Sequence, residues 1–257
     1  MGNIQSADTE GVTERAKAYQ EDGFVRLPGL FARDRVAEIA RHIASASEQA
    51  QQRMSAGDFV LEPGGEVRNL WRLEAYDDFF RDLGNDPRVL GIVEELLGSE
   101  AVLAAVETFN KPALQGTAVP PHQDNAYFCQ EPADMLTVWV AIDETTESNG
   151  PVHYVSDSKA ELLPHKGSGI PGNSMVLVDP PIYDTTRVTV GLLQPGDAMV
   201  HDCQTVHWSE PNRTEQRRCG LLLVYRAAHT RTSPALRAAY DAAAAAYAAA
   251  QKSGASE

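Results

Sequence analysis

Two periodicities divide the chain. Val36, Ile39, Ala40 and Ile43 recur at i, i+3, i+4 and i+7, the apolar stripe of an amphipathic helix. A second helix is predicted from Asp86 to Gly98. Asp86 suits the cap, Pro87 the first turn and Gly98 the left-handed C-terminal position. Its buried face is Val89, Val93, Leu96 and Leu97. Ahead of both, residues 23–28 read as a short strand closed by a proline. From about Ala101 the pattern becomes short apolar runs. Strands are expected at 101–109, 136–142, 151–155, 174–178, 187–192, 198–202 and 219–225. Glu147-Ser148-Asn149-Gly150, Pro195-Gly196-Asp197 and Pro211-Asn212 supply turns between them. The expected fold is mainly β with flanking helices, a sandwich or barrel braced from outside by the N-terminal helices.

No flexible linker separates helices from strands, so residues 1–257 are read as one domain with its core at about 23–226. The Ala-rich stretch 234–251 predicts a C-terminal helix. Tyr240 and Tyr247 lie seven apart on roughly one face, which suits docking.

Composition narrows the partners. At 43% hydrophobic, the 257 residues supply an extensive core. Lys plus Arg total 22 against 36 for Asp plus Glu, a net charge of −14. That balance argues against nucleic acid and against stable docking on anionic membranes. It leaves room for a small anion in a local basic pocket. Three cysteines without CxxC spacing suit neither a disulfide framework nor structural zinc, so a cytoplasmic setting is expected. Residues 1–9 are polar and carry no secretory signal. Met1-Gly2-Asn3-Ile4-Gln5-Ser6 fits the short myristoylation pattern but is read as a plain polar start, since no basic cluster accompanies it.

The sharpest chemical feature is Pro121-His122-Gln123-Asp124. In an extended segment, His122 and Asp124 point to one side. A surface hydrogen-bonded pair would give the same spacing. Downstream, His207-Trp208-Ser209-Glu210-Pro211-Asn212-Arg213 leads through Gln216-Arg217-Arg218 into an apolar strand. If 211–214 is a hairpin tip, His207 and Arg218 stand opposite each other, with Ser209 on the same face. Two histidines and one carboxylate with open positions form the facial arrangement of non-haem Fe(II) oxygenases. The forked guanidinium of Arg218, helped by Ser209, suits the distal carboxylate of a co-substrate.

At this point the sequence resembles the phytanoyl-CoA dioxygenase family of Fe(II)/2-oxoglutarate oxygenases. The resemblance runs from about Gly23 to Arg226. It rests on Asn110-Lys111-Pro112, Pro121–Asp124, Trp139-Val140-Ala141-Ile142-Asp143, Glu147–Pro151, Pro195-Gly196-Asp197 and His207–Arg218, taken together and in order. It implies a double-stranded β-helix, the cupin-like jelly roll. It implies His122, Asp124 and His207 as iron ligands, and Arg218 and Ser209 as holders of the 2-oxoglutarate C5 carboxylate. It implies a dioxygenase that uses O2, with ascorbate in support, to hydroxylate an unactivated C–H bond of a small molecule, releasing succinate and CO2. Related halogenases lack the carboxylate that Asp124 supplies, which favours hydroxylation. Two other classes share these residues: a cupin-type metal enzyme that uses no 2-oxoglutarate, and a non-catalytic jelly-roll binding module. A homo-oligomer is compatible with all three.

Other positions carry weaker expectations. Leu136, Val138 and Val140 alternate with Thr137, Trp139 and Ala141, which places Trp139 away from the aliphatic stripe, as co-substrate pocket lining or as a core indole. Lys111, Arg68 and Arg72 lie in segments that approach the pocket in the family, though a surface lysine is the commoner outcome for Lys111. His201 is read as structural or as support for the site. His153 and His165 are candidates to face substrate, and His42 and His229 are solvent or packing residues. Cys203 and Cys219 are expected to be buried thiols. The turn-rich segment 159–184 is expected at the pocket mouth. The expected substrate is an amino-acid derivative, organic acid, phosphonate or natural-product intermediate.

Overall fold

The computed structural model describes residues 13–170 and 172–254. Met1–Ser6, with its acylation pattern, lies outside the described residues.

Local signals set the helices. In Pro87–Leu97 the Asp86 carboxylate accepts from the Arg88 N–H at 2.9 Å, and Gly98 closes the helix at φ 63°. The helix of Val36 runs over Arg33–Arg53. A further helix, Glu14–Asp22, was not expected from the apolar pattern. It is amphipathic through Ala16 and Tyr19, with Thr13 as its cap.

Seven strands form the larger antiparallel sheet. Their order is Phe24–Leu27, Ala198–Asp202, Met135–Ala141, Arg218–Ala227, Ala101–Lys111, Val67–Leu70 and Phe59–Leu61. A four-stranded sheet, Val188–Val190, Val152–Val155, His207–Ser209 and Val119–His122, completes the jelly roll. The hairpin of His165–Ile170 and Asn173–Leu177 packs beside its last strand.

The two faces of the large sheet have different fates. Leu136, Val138, Val140, Leu221 and Leu223 join Val36, Ile39, Ile43, Val89 and Val93 in one buried core, so the helices brace the sheet from outside as expected. Trp139 and Ala141 point inward, to a separate cluster with Tyr154, Leu193 and Met199. The strand alternation thus separates structural core from cavity wall.

One expectation is overturned. His207 and Arg218 are not cross-strand partners. His207 pairs with His122 and Tyr154 in the small sheet, whereas Arg218 pairs with Lys111 in the large one. The connection between them is a corner that changes sheets. The Asn212 side-chain amide holds it by donating to the carbonyls of Lys111 at 3.0 Å and Gln216 at 2.7 Å. A pattern of apolar and polar residues cannot tell such a corner from a hairpin tip.

The C-terminal helix Pro234–Gly254 lies over the hairpin. Tyr247 donates to the Gly169 carbonyl at 3.3 Å, and the Gly169 Cα is within reach of the ring only because it has no Cβ. No helix among the described residues is long and apolar enough to cross a membrane.

Candidate metal centre and its cavity

His122 ends the strand Val119–His122 and stands directly across from His207. The chain then turns. Asp124 has helical φ −61° and ψ −32° and opens the short helix Asn125–Phe128. It therefore reaches His122 through a turn and not through the two-residue period of an extended strand. The outcome is the one expected: one ligand atom from each of His122, Asp124 and His207 lies within 4.8 Å of the others, and all three residues are buried.

Backbone carbonyls fix both imidazoles. The Nδ1 of His122 donates to the Pro120 carbonyl at 2.9 Å, and the Nδ1 of His207 to that of Thr205 at 2.9 Å. A carbonyl can only accept, so neutral rings carry their proton on Nδ1 and leave Nε2 bare. These Nε2 atoms stand 3.4 and 3.3 Å from Asp124 Oδ1. In that tautomer the two Nε2 lone pairs and the carboxylate oxygen turn toward one another, a set that suits a divalent cation of the iron type.

Asp124 is held from several sides. Tyr127 donates to Oδ1 at 2.5 Å, Thr137 to Oδ2 at 3.4 Å, and His201 Nε2 lies 3.3 Å from Oδ2. Burial pushes its pKa up, but His207, His122 and His201 outweigh that, and the carboxyl lies well below the usual range. Burial, then His207, pulls the pKa of His122 down. Between the two ligands, Gln123 is fully buried and bolts the segment in place. Its amide donates to the carbonyls of Gln204 at 2.6 Å and Glu161 at 2.8 Å, and its backbone N–H donates to His165 Nε2 at 3.0 Å.

These groups border a cavity of about 390 Å³ that is also lined by Ser209, Trp139 and Arg218. Arg218 is 1% exposed. Its Nη2 donates to the Gly150 carbonyl at 2.5 Å, while Nε has no partner. Burial pulls its pKa down to about 10. The guanidinium carbon sits 5.2 Å from the centre of the Trp139 ring. Gly220 makes room for that indole, because a Cβ there would come within 2.1 Å of it. Ser209 is buried at the same cavity.

The model of the phytanoyl-CoA dioxygenase family matches residues 19–220. The chain belongs to the phytanoyl-CoA dioxygenase family. Its relatives include mouse phytanoyl-CoA dioxygenase domain-containing protein 1, 24% identical over 79% of this chain and 85% of that protein. Another is L-proline trans-4-hydroxylase of Streptomyces griseoviridis, 26% identical over 80% of this chain and 83% of that one. A solved structure of EctD from S. alaskensis with 2-oxoglutarate and 5-hydroxyectoine superposes with a TM-score of 0.73 at 22% identity, over 90% of this chain and 82% of that one. The family is one of Fe(II)/2-oxoglutarate oxygenases, and this member is an enzyme of that class.

Phytanoyl-CoA dioxygenase motifs account for much of the scaffold. Gly150, in the Glu147–Pro151 stretch, offers its carbonyl to Arg218. Lys111 is not a surface lysine but fully buried. Its Nζ donates to the carbonyls of Thr117 at 2.8 Å and Glu210, which ties the family's two distant motifs together. Burial, then Arg218 and Arg68, pushes its pKa down to about 6. Arg68 is buried in an ion pair with Glu62 at 3.0 Å, and it is not part of the cavity wall. Arg72 is half exposed and pairs with Asp58.

The remaining histidines fall into place. His153 points to the outer face and stacks on Trp208 at 5.1 Å. Its neighbour Val152 faces the cavity instead, as alternation requires. His165 supports Gln123 and does not line the cavity. His201 supports Asp124 and does line it. His42 stacks on Phe79 and bonds Asp77 at 2.7 Å, and His229 bonds Asp134 at 2.7 Å. Cys129, Cys203 and Cys219 are buried free thiols. The expected mouth segment does contribute Ile170, Gly172, Asn173 and Ser174 to the wall, and the C-terminal helix adds Arg237 and Tyr240. Two groups around the site escaped the sequence reading. Tyr127 carried a usable signal, since three residues after Asp124 is one helical turn. Glu107 carried none, because it reads as the polar member of an ordinary alternating strand.

Proposed function

We propose that this chain hydroxylates an unactivated C–H bond of a free small molecule, with O2 and 2-oxoglutarate as co-substrates and succinate and CO2 as products. His122 Nε2, Asp124 and His207 Nε2 hold Fe(II). Arg218 and Ser209 hold the distal carboxylate of 2-oxoglutarate, and the Trp139 indole packs beside it. The metal and its keto acid supply the oxidising chemistry when bound. The protein supplies orientation. The Pro120 and Thr205 carbonyls fix the rings, while Tyr127, Thr137 and His201 fix the carboxylate. The aromatic wall shields the reacting bond from water. The whole chain is read as one domain, because one core cluster draws on residues from Ala16 to Tyr225. Three buried free thiols suit the reducing cytoplasm.

One observation carries this reading: the Nε2 atoms of His122 and His207, 3.4 and 3.3 Å from the Asp124 carboxylate, border the same cavity as an Arg218 with an unpartnered Nε. A cupin-type enzyme without 2-oxoglutarate has no use for the second half of that arrangement. The test is a small-molecule screen that reads succinate under Fe(II), ascorbate and 2-oxoglutarate, with Asp124→Ala as control. Substrate-dependent succinate and a hydroxylated product are expected from the native protein, and neither from Asp124→Ala. Hydroxylation retained by Asp124→Ala would remove Asp124 from the ligand set. Turnover without 2-oxoglutarate would favour the cupin-type enzyme.

A further inference from the structure

Glu107 has no task in that scheme, yet it lines the cavity. It projects from the strand Ala101–Lys111 on the same face as Phe109, and its cross-strand neighbour Leu222 lines the cavity too. Val106 faces the other way, into the helix-braced core. Among the described residues no hydrogen bond or ion pair reaches the Glu107 carboxyl. Burial, then the acidic Asp124 and Glu74, pushes its pKa up to about 8. Glu74 is itself engaged, accepting from the Val106 N–H at 2.7 Å. Neither arginine of the wall pairs with Glu107, and the free Nε of Arg218 is the one assigned above to the co-substrate. Arg218 donates to Gly150 and Phe109, and Arg237 pairs with Asp241 at 3.1 Å.

Without a partner this carboxyl is held largely neutral near pH 7, and an arriving cation favours its ionised form. Its surroundings suit an organic cation in particular. Trp71, Tyr127, Phe128 and Tyr240 line the same cavity, and aromatic faces attract such cations. An anionic group at this wall would instead meet Glu107 and Asp124.

We propose that Glu107 is a substrate-recognition residue, and that the substrate carries a cationic nitrogen (amine, amidine, guanidine or quaternary ammonium) which sits against its carboxylate. This names the substrate class of the oxygenase reading above and rests on it.

The experiment uses three probes of one size: benzylamine, benzyl alcohol and benzoate, which are cationic, neutral and anionic at neutral pH. Trp71 and Trp139, two of the chain's 3 tryptophans, line the cavity, so their fluorescence reports occupancy. Titrations are run without O2 on protein saturated with Fe(II) and 2-oxoglutarate, so that Arg218 is already engaged. Loading is followed separately. Failure to load would count against the oxygenase reading, while the charge preference is still read from Glu107 substitutions in the unloaded protein.

Benzylamine is expected to bind at least about tenfold more tightly than benzyl alcohol, with benzoate weakest. Glu107→Gln, nearly isosteric, is expected to bring benzylamine to within about twofold of benzyl alcohol. Glu107→Lys is expected to place benzoate first. A native protein with no preference for benzylamine, including one that binds no probe, overturns the proposal. So does a preference that survives Glu107→Gln. The native ratio decides even if neither variant folds.

Discussion

Two clusters on the wall of one cavity carry opposite deficits. Around Asp124 the Nε2 atoms of His122 and His207 and a carboxylate oxygen face one another, three groups able to ligate one cation. Around Arg218 the shortage is of acceptors. Its Nε has no partner. The first cluster sits where a strand of the small sheet turns into a short helix, and Arg218 opens a strand of the large sheet. The buried amides of Asn212 and Gln123, by contrast, are satisfied on every arm. Unsatisfied groups at a cavity wall therefore specify a ligand: a cation at one cluster, an anion at the other. Glu107 repeats the lesson with a single carboxyl.

Substitutions that strike one cluster alone test whether the two are separate. The largest effect beyond loss of Asp124 is expected from Arg218→Met. It should weaken 2-oxoglutarate binding by about 100-fold, the scale of a buried charge-assisted contact, with metal affinity in the absence of 2-oxoglutarate unchanged. Calorimetric titration of each ligand checks it, and a parallel loss of metal affinity would merge the two clusters into one. A smaller effect is expected from Gly220→Ala. The new Cβ would lie within 2.1 Å of the Trp139 ring, so the indole must move. Chemical denaturation should read a loss of about 1–3 kcal/mol. The displaced indole no longer supports Arg218, so 2-oxoglutarate binding should weaken as well.

How much of this was legible in the sequence follows from how local each signal is. The helix of Pro87–Leu97 was legible to its ends because Asp86, Pro87 and Gly98 act within a turn of where they stand. The wall position of Trp139 was legible because alternation in a strand buried on both faces still separates aliphatic from polar and aromatic positions. That His122, Asp124 and His207 come together was legible through family motifs, yet the way they do so was not. A corner and a hairpin tip share Pro-Asn chemistry, so Arg218 was assigned to the wrong partner strand. Asp124 was placed in an extended segment, although its neighbours Asn125 and Ala126 begin a helix. Glu107, the depth of Lys111 and the outward face of His153 depend on how distant strands pair, which no short window contains.

The central claim is that a cation site and an anion site share one cavity and serve one bidentate acid. Titration of 2-oxoglutarate without O2, into protein with and without Fe(II), tests it most directly. The account predicts that Fe(II) tightens 2-oxoglutarate by about tenfold or more, and that 2-oxoglutarate tightens Fe(II) by the same factor. Independent binding of the two, with no mutual change in affinity, would contradict it.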